Sequence, residues 1–181
     1  IVQYRRMKNS GVVAIYQKDR FDEYSNFARI GDGSLGGKGR GLAFMGAMVK
    51  RYPKLETENF NTNIPKTVVI CTDIFDEFME TNELLPVALS DADDETILKY
   101  FLRASLPASL IDDLMAFFDV VKSPIAVRSS SLLEDSHYQP FAGIYSTYMV
   151  PRLDDKYEML RLLSDAIKAV YASVFYRDSK G

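Results

Sequence analysis

Hydrophobic positions along the chain switch between two spacings. The β-branched run "GVVAIYQ" at residues 11–17 predicts a short strand. In "RGLAFMGAMVKRY" the apolar residues Leu42, Met45, Val49 and Tyr52 recur three and four apart, which predicts a helix facing inward along them. "KTVVICT" is a continuous apolar run, the signature of a fully buried strand. Thr72 or Asp73 then stands where a helix over "DIFDEFMETN" needs an N-cap. "SDADDETILKYFLRAS" predicts a helix with an acidic start, which complements the macrodipole, and with Ile97, Phe101 and Leu102 inward. "PASLIDDLMAFFDVV" predicts another, with Leu110, Leu114, Phe118 and Val121 on one side. "PIAVRSSS" reads as a short buried strand running straight into polar residues, and "GIYSTYMV" alternates like a strand returning towards it. Leu160, Leu163, Ile167, Val170 and Val174 mark a long amphipathic helix. Strands and helices mixed along one chain predict an α/β fold, with α+β mixed layers as its variant.

Composition narrows the function. The 181 residues are 47% hydrophobic and 26% charged, which suits one globular domain with a real core. A net charge of −3 argues against a general nucleic-acid binder, so any anion site must be local. No stretch approaches the roughly 18–20 apolar residues that span a bilayer, and no signal peptide is recognisable, so no membrane partner is expected. The single cysteine, Cys71, cannot form an internal disulfide, and a reducing cytoplasmic setting is the expectation. Within "TVVICT" it reads as a small core residue. The ends look cut from something longer: residues 1–30 are expected to be a lead-in strand and linker of the same domain, and residues 31–181 its body.

Six of the ten glycines fall in "GDGSLGGKGRG", residues 31–41. Glycine at that density costs entropy and packing, and close approach of backbone to an anion is a common reason for it. "GDGSLG" satisfies the dinucleotide pattern G-x-G-x-x-G, but the preceding "DEYSNFAR" does not read as a buried strand, and Glu56 and Glu58 are poorly placed as ribose partners. A Walker loop would need glycine at Asp32 and a hydroxyl at Gly39. What is left is either a phosphate loop of another kind, with amides turned inward and Lys38 as a mobile cation, or a tight turn beside a solvated lysine. The acidic run at residues 91–95 reads as a solvated helix start, with no metal site implied.

A second cluster changes the balance. Arg128 stands where a strand gives way to serines, at the strand end where ligands collect in α/β sheets. A planar five-donor cation there suits a phosphate, and "FAGIYST" offers Gly143 in a turn between Phe141 and Thr147. The plainer alternative is an arginine paired with Glu134 or Asp135 and an ordinary β-turn.

Taken together, "GGKGRGLAFM", "IPKTVVICTDIFDEFM", "IAVRSSSLLEDSHYQPFAGIYSTYMV" and "AVYASVFYR" resemble, in order and over most of the chain, the N-terminal nucleotide-binding domain of the pyruvate phosphate dikinase and phosphoenolpyruvate synthase family. The resemblance implies the first lobe of an ATP-grasp domain, incomplete without its second lobe. It implies ATP as ligand, with Lys38, Arg128, Gly143 and Thr147 at the phosphates and Gly36, Gly37, Gly39 and Ser129 supporting them. Magnesium ligands would come mainly from the second lobe, with none assigned in this chain. A phosphohistidine on a separate domain would relay phosphate to an acceptor such as pyruvate; His137 in "DSHYQP" lacks that domain's motif and reads as a loop residue. The chain departs from the family pattern at Lys66 and Thr67, where proline and glycine are usual, and in "GIYSTYMV", which loses polar residues near the phosphate flap. The resemblance therefore implies a divergent member, inactive as an isolated lobe. A degenerate nucleotide-sensing or regulatory module without catalysis is the alternative, and a dinucleotide oxidoreductase a distant third.

Overall fold

A computed structural model of the chain describes residues 14–15, 27–52, 64–130 and 147–177. Three parallel strands, β1 (Ala14–Ile15), β2 (Phe27–Ile30) and β3 (Thr67–Ile70), lie side by side in that order. Helix α1 (Gly36–Arg51) lies between β2 and β3 in the chain, so the two parallel neighbours and their crossover form a βαβ unit. Then come α2 (Thr72–Thr81), a short α3 (Leu85–Ala88), α4 (Asp94–Arg103) and α5 (Ala108–Val120). An antiparallel ribbon of β4 (Ile125–Val127) and β5 (Tyr148–Val150) follows, and α6 (Lys156–Ser173) comes last. The mixed α/β class is the one the hydrophobic spacing predicts.

One apolar core holds these layers together. Phe78 of α2, Ile97 and Phe101 of α4, Leu110 and Phe118 of α5 and Met159 of α6 are fully buried, and Ala28 and Ile30 of β2 and Val150 of β5 join them. At its centre Phe75 meets Tyr171 edge-on at 4.9 Å between ring centroids, Phe78 lies 5.9 Å from Phe101, and Phe101 lies 5.8 Å from Phe175. The stripe predicted for α6 is the one it buries at Leu163, Ile167 and Val170, and the α5 face at Leu110, Leu114, Phe118 and Val121 is likewise inside. Capping follows chemistry where acids are available: Asp93 accepts from Thr96 N at 2.7 Å, and Asp155 from Tyr157 N at 2.8 Å.

Four expectations are corrected. Helix α1 begins at Gly36 and takes in the whole of "GGKG", because the carbonyl and the hydroxyl of Ser130, from another segment, satisfy the first-turn amides of Gly37 and Gly39. Its predicted inner stripe is partly outside: Met45 is 50% and Tyr52 48% exposed, beside Phe44 at 63%. Leu102 is also exposed, since the last turn of α4 rotates it away from the Ile97–Phe101 side. Strand β3 is half-buried over most of its length, with Val69 buried and Cys71 enclosed just beyond it. Burial first, then the Asp73 carboxylate, pushes the Cys71 thiol up, as befits an inert core residue.

The Tyr171 hydroxyl is buried without a hydrogen-bond partner among the described residues. A buried, unsatisfied donor costs stability, so Tyr171→Phe is expected to leave the denaturant midpoint unchanged or to raise stability by up to about 1 kcal/mol in urea unfolding.

Candidate functional site

Strand β2 delivers the chain into the glycine segment at the carboxyl end of the parallel sheet. This corrects the reading that no strand precedes "GDGSLG": the strand is "FARI", with Ala28 and Ile30 buried. Polar neighbours upstream hide it in the sequence. The βαβ context of a dinucleotide fold is therefore present, and exclusion of that fold rests on other ground. Asp73, three residues beyond β3, accepts from Asp32 N at 2.8 Å and Gly33 N at 3.0 Å. A carboxylate of the protein thus occupies the amides at which a pyrophosphate would have to sit.

The neighbouring contacts are of the same kind. Thr72 Oγ1 accepts from Ser34 N at 2.9 Å, and Thr72 N donates to Ser34 O at 3.2 Å. Gly36 N donates to Ser34 Oγ at 3.3 Å, and Arg40 Nη2 reaches the same oxygen at 2.9 Å. Neither Thr72 nor Asp73 is the N-cap of α2. That position is Cys71, and both side chains turn across to the glycine segment. The idea of inward-facing amides awaiting a ligand is corrected accordingly: the amides of Asp32, Gly33, Ser34, Gly36, Gly37 and Gly39 each donate to an acceptor of the protein itself.

The glycines serve close approach between chain segments. Gly36 has φ +72°, and a β-carbon there would lie 1.8 Å from Ser130 O. At Gly33 it would meet Thr72 Oγ1 at 2.6 Å and Asp73 N at 2.7 Å. Ser130, at the end of the β4 segment, ties down the start of α1: its carbonyl accepts from Gly37 N at 2.8 Å, its hydroxyl accepts from Gly39 N at 2.8 Å and donates to Leu35 O at 2.7 Å. The loop and the "VRSS" segment, 91 residues apart at Gly39 and Ser130, are one structure.

The expected phosphate residues are placed by these contacts. Lys38, half-buried, lies between the two glycines that bond Ser130; Arg128, exposed, stands two residues before it. Val127 pairs with Tyr148, so Arg128 and Thr147 leave the ribbon at the same end. Ala126, Arg128, Thr147 and Met149 are exposed, whereas Ile125, Val127 and Tyr148 are half-buried and Val150 is buried, so the pleat puts the first four on the open face. Ser129 is buried beside Ser130, and Ser130 is the serine that meets the glycine segment. Gly143, Glu134, Asp135 and His137 lie outside the described residues. Among the described residues no group of three or more histidine, cysteine or carboxylate side chains is placed to hold a metal ion. No described helix is long and apolar enough to cross a membrane.

Residue-type reasoning missed Ser34, Thr72, Asp73 and Ser130 as parts of this site. The available signal was the polar pair directly after a strand and the serine run after another.

Electrostatics agrees with the geometry. Partial burial pushes the Asp73 carboxyl up, but the amides of Asp32, Gly33, Asp73 itself and Ile74 outweigh this and hold it below its ordinary value. A depressed native pKa adds stability that is present above the unfolded value and lost as pH falls through the native one. Asp73→Asn should therefore cost about 1–2 kcal/mol at pH 7, and its deficit relative to wild type should close below about pH 4, read by urea unfolding across pH. Glycine geometry gives a paired test. Gly36→Ala should destabilise by about 2–4 kcal/mol through clash and left-handed strain, whereas Gly41→Ala, with nothing within 4 Å of its β-carbon, should stabilise α1 by roughly 0.5–1 kcal/mol.

The model of the family described as pyruvate phosphate dikinase, AMP/ATP-binding domain, matches residues 32–180. No curated protein and no solved structure matches the chain.

Proposed function

Because this chain belongs to the pyruvate phosphate dikinase AMP/ATP-binding domain family, we propose that it binds the phosphates of ATP through Lys38 and Arg128, as part of a phosphotransferase. The family match makes it the nucleotide-binding part of a dikinase-like protein. The observation that carries it is the junction at Ser130, which bonds the amides on either side of Lys38 and follows Arg128 by two residues in the chain. Phosphoryl transfer depends chiefly on positioning and charge neutralisation, which two cations flanking one triphosphate supply. Thr147, leaving the ribbon beside Arg128, is the additional donor within the described residues, and Gly143 belongs to the same proposal through resemblance. A second ATP-grasp lobe would close over the nucleotide and bring the magnesium ligands, and a phosphohistidine domain would carry the phosphate to its acceptor. The setting proposed is cytoplasmic.

A nucleotide-sensing or regulatory module without catalysis is the second reading. One observation favours it: the amides of the glycine segment are already committed to protein acceptors, which leaves phosphate recognition to side chains.

Calorimetric titration of the intact protein with Mg-ATP and with AMP tests both readings. Lys38→Ala and Arg128→Ala should each weaken Mg-ATP binding roughly ten- to a hundredfold, the range for a lost charge-assisted hydrogen bond. Unchanged affinity in both variants removes the assignment. With binding intact, incubation with β-labelled ATP separates enzyme from module: acid-labile label on histidine supports phosphotransfer, and its absence supports the sensor.

A further inference from the structure

We infer that Ser130 is the positioning residue of the nucleotide site, holding Lys38 in register with Arg128; this rests on the nucleotide reading above. Three hydrogen bonds join this one residue to the start of α1, two through its hydroxyl and one through its carbonyl. The hydroxyl serves in both directions, accepting from Gly39 N and donating to Leu35 O, so it spans the first turn on both sides of Lys38. The carbonyl sits where Gly36 has no β-carbon, and no residue with a side chain could come as close. Arg128 is covalently two residues upstream, at the exit of a strand whose partner β5 is anchored in the core by Val150.

This geometry makes the hydroxyl a coupler. The ribbon is fixed by its packing on the core, and α1 starts from a glycine segment with few side chains to locate it. The Ser130 contacts transfer the position of the first to the second. Ser130 itself touches no phosphate in this scheme; it acts through Lys38.

The test uses the intact protein and two readouts. Amide hydrogen exchange should slow Gly37 and Gly39 in wild type, and Ser130→Ala should speed exchange at Gly39 at least tenfold while core amides of α6 stay protected. In calorimetry with Mg-ATP, Ser130→Ala should weaken binding about three- to tenfold, and that loss should disappear in a Lys38→Ala background. Ser130→Thr and Ser130→Val, matched in shape and different in the hydroxyl, guard against misfolding of the alanine variant: threonine should bind within twofold of wild type and valine like alanine. A loss of the same size with and without Lys38 overturns the positioning role in favour of a purely structural one. Equal affinity of the threonine and valine variants overturns it as well. Wild type that binds neither Mg-ATP nor AMP defeats the nucleotide reading and this role with it, whereas altered exchange at Gly39 beside unaltered binding defeats the role alone.

Discussion

The absence of a β-carbon at Gly36 is the constraint on which the site depends. With φ at +72° and the Ser130 carbonyl lying where a methyl group would otherwise be, the backbone of α1 can meet the end of β4 directly. The other contacts at the junction accompany that approach: the bond from Gly37 and the two-way hydroxyl of Ser130, which reaches Gly39 and Leu35. Net stabilisation from three such hydrogen bonds is of the order of a few kcal/mol, small beside an aromatic core. The core therefore fixes where the ribbon and α6 lie, and the glycine junction decides what faces what across the sheet edge.

Much of the architecture was legible because it obeys simple periods. Leu163, Ile167 and Val170 repeat at helical spacing and are buried, and Tyr148–Val150, the end of the alternating "GIYSTYMV", pairs antiparallel with β4. Strand β2 escaped notice because it is only four residues long, contains Arg29, and follows polar residues; it is the central strand, flanked by β1 and β3, and only Ala28 and Ile30 are buried. Short α3, with proline in its first turn, carries no period at all. The stripe on α1 misled for the opposite reason. Spacing specifies which residues share a helix face but not whether another element covers it, and Phe44 and Met45 are well exposed.

The site was legible by residue type and illegible by partner. Lys38 and Arg128 stood out as cations beside glycine and serine, whereas the roles of Thr72, Asp73 and Ser130 depend on contacts about 38 to 95 residues away along the chain. No local pattern reports such contacts. Glycine density raised the right question and suggested the wrong occupant: the close neighbours are a serine carbonyl, a threonine hydroxyl and an aspartate of the same chain.

That substitution changes what kind of anion site this can be. In a Walker loop the amides themselves cradle phosphate; here the first amides already hold the Asp73 carboxylate, and those of the α1 start hold Ser130. Yet the first turn of α1 contains no acid and carries Lys38 and, one step on, Arg40, at the helix end where the macrodipole disfavours cations. On the proposed reading, a nucleotide triphosphate would bring the negative charge that such a cluster favours, held by side chains whose positions the glycine junction sets. Preorganised backbone would then contribute to recognition indirectly, by aiming cations, without the phosphates touching the amides that made the sequence conspicuous.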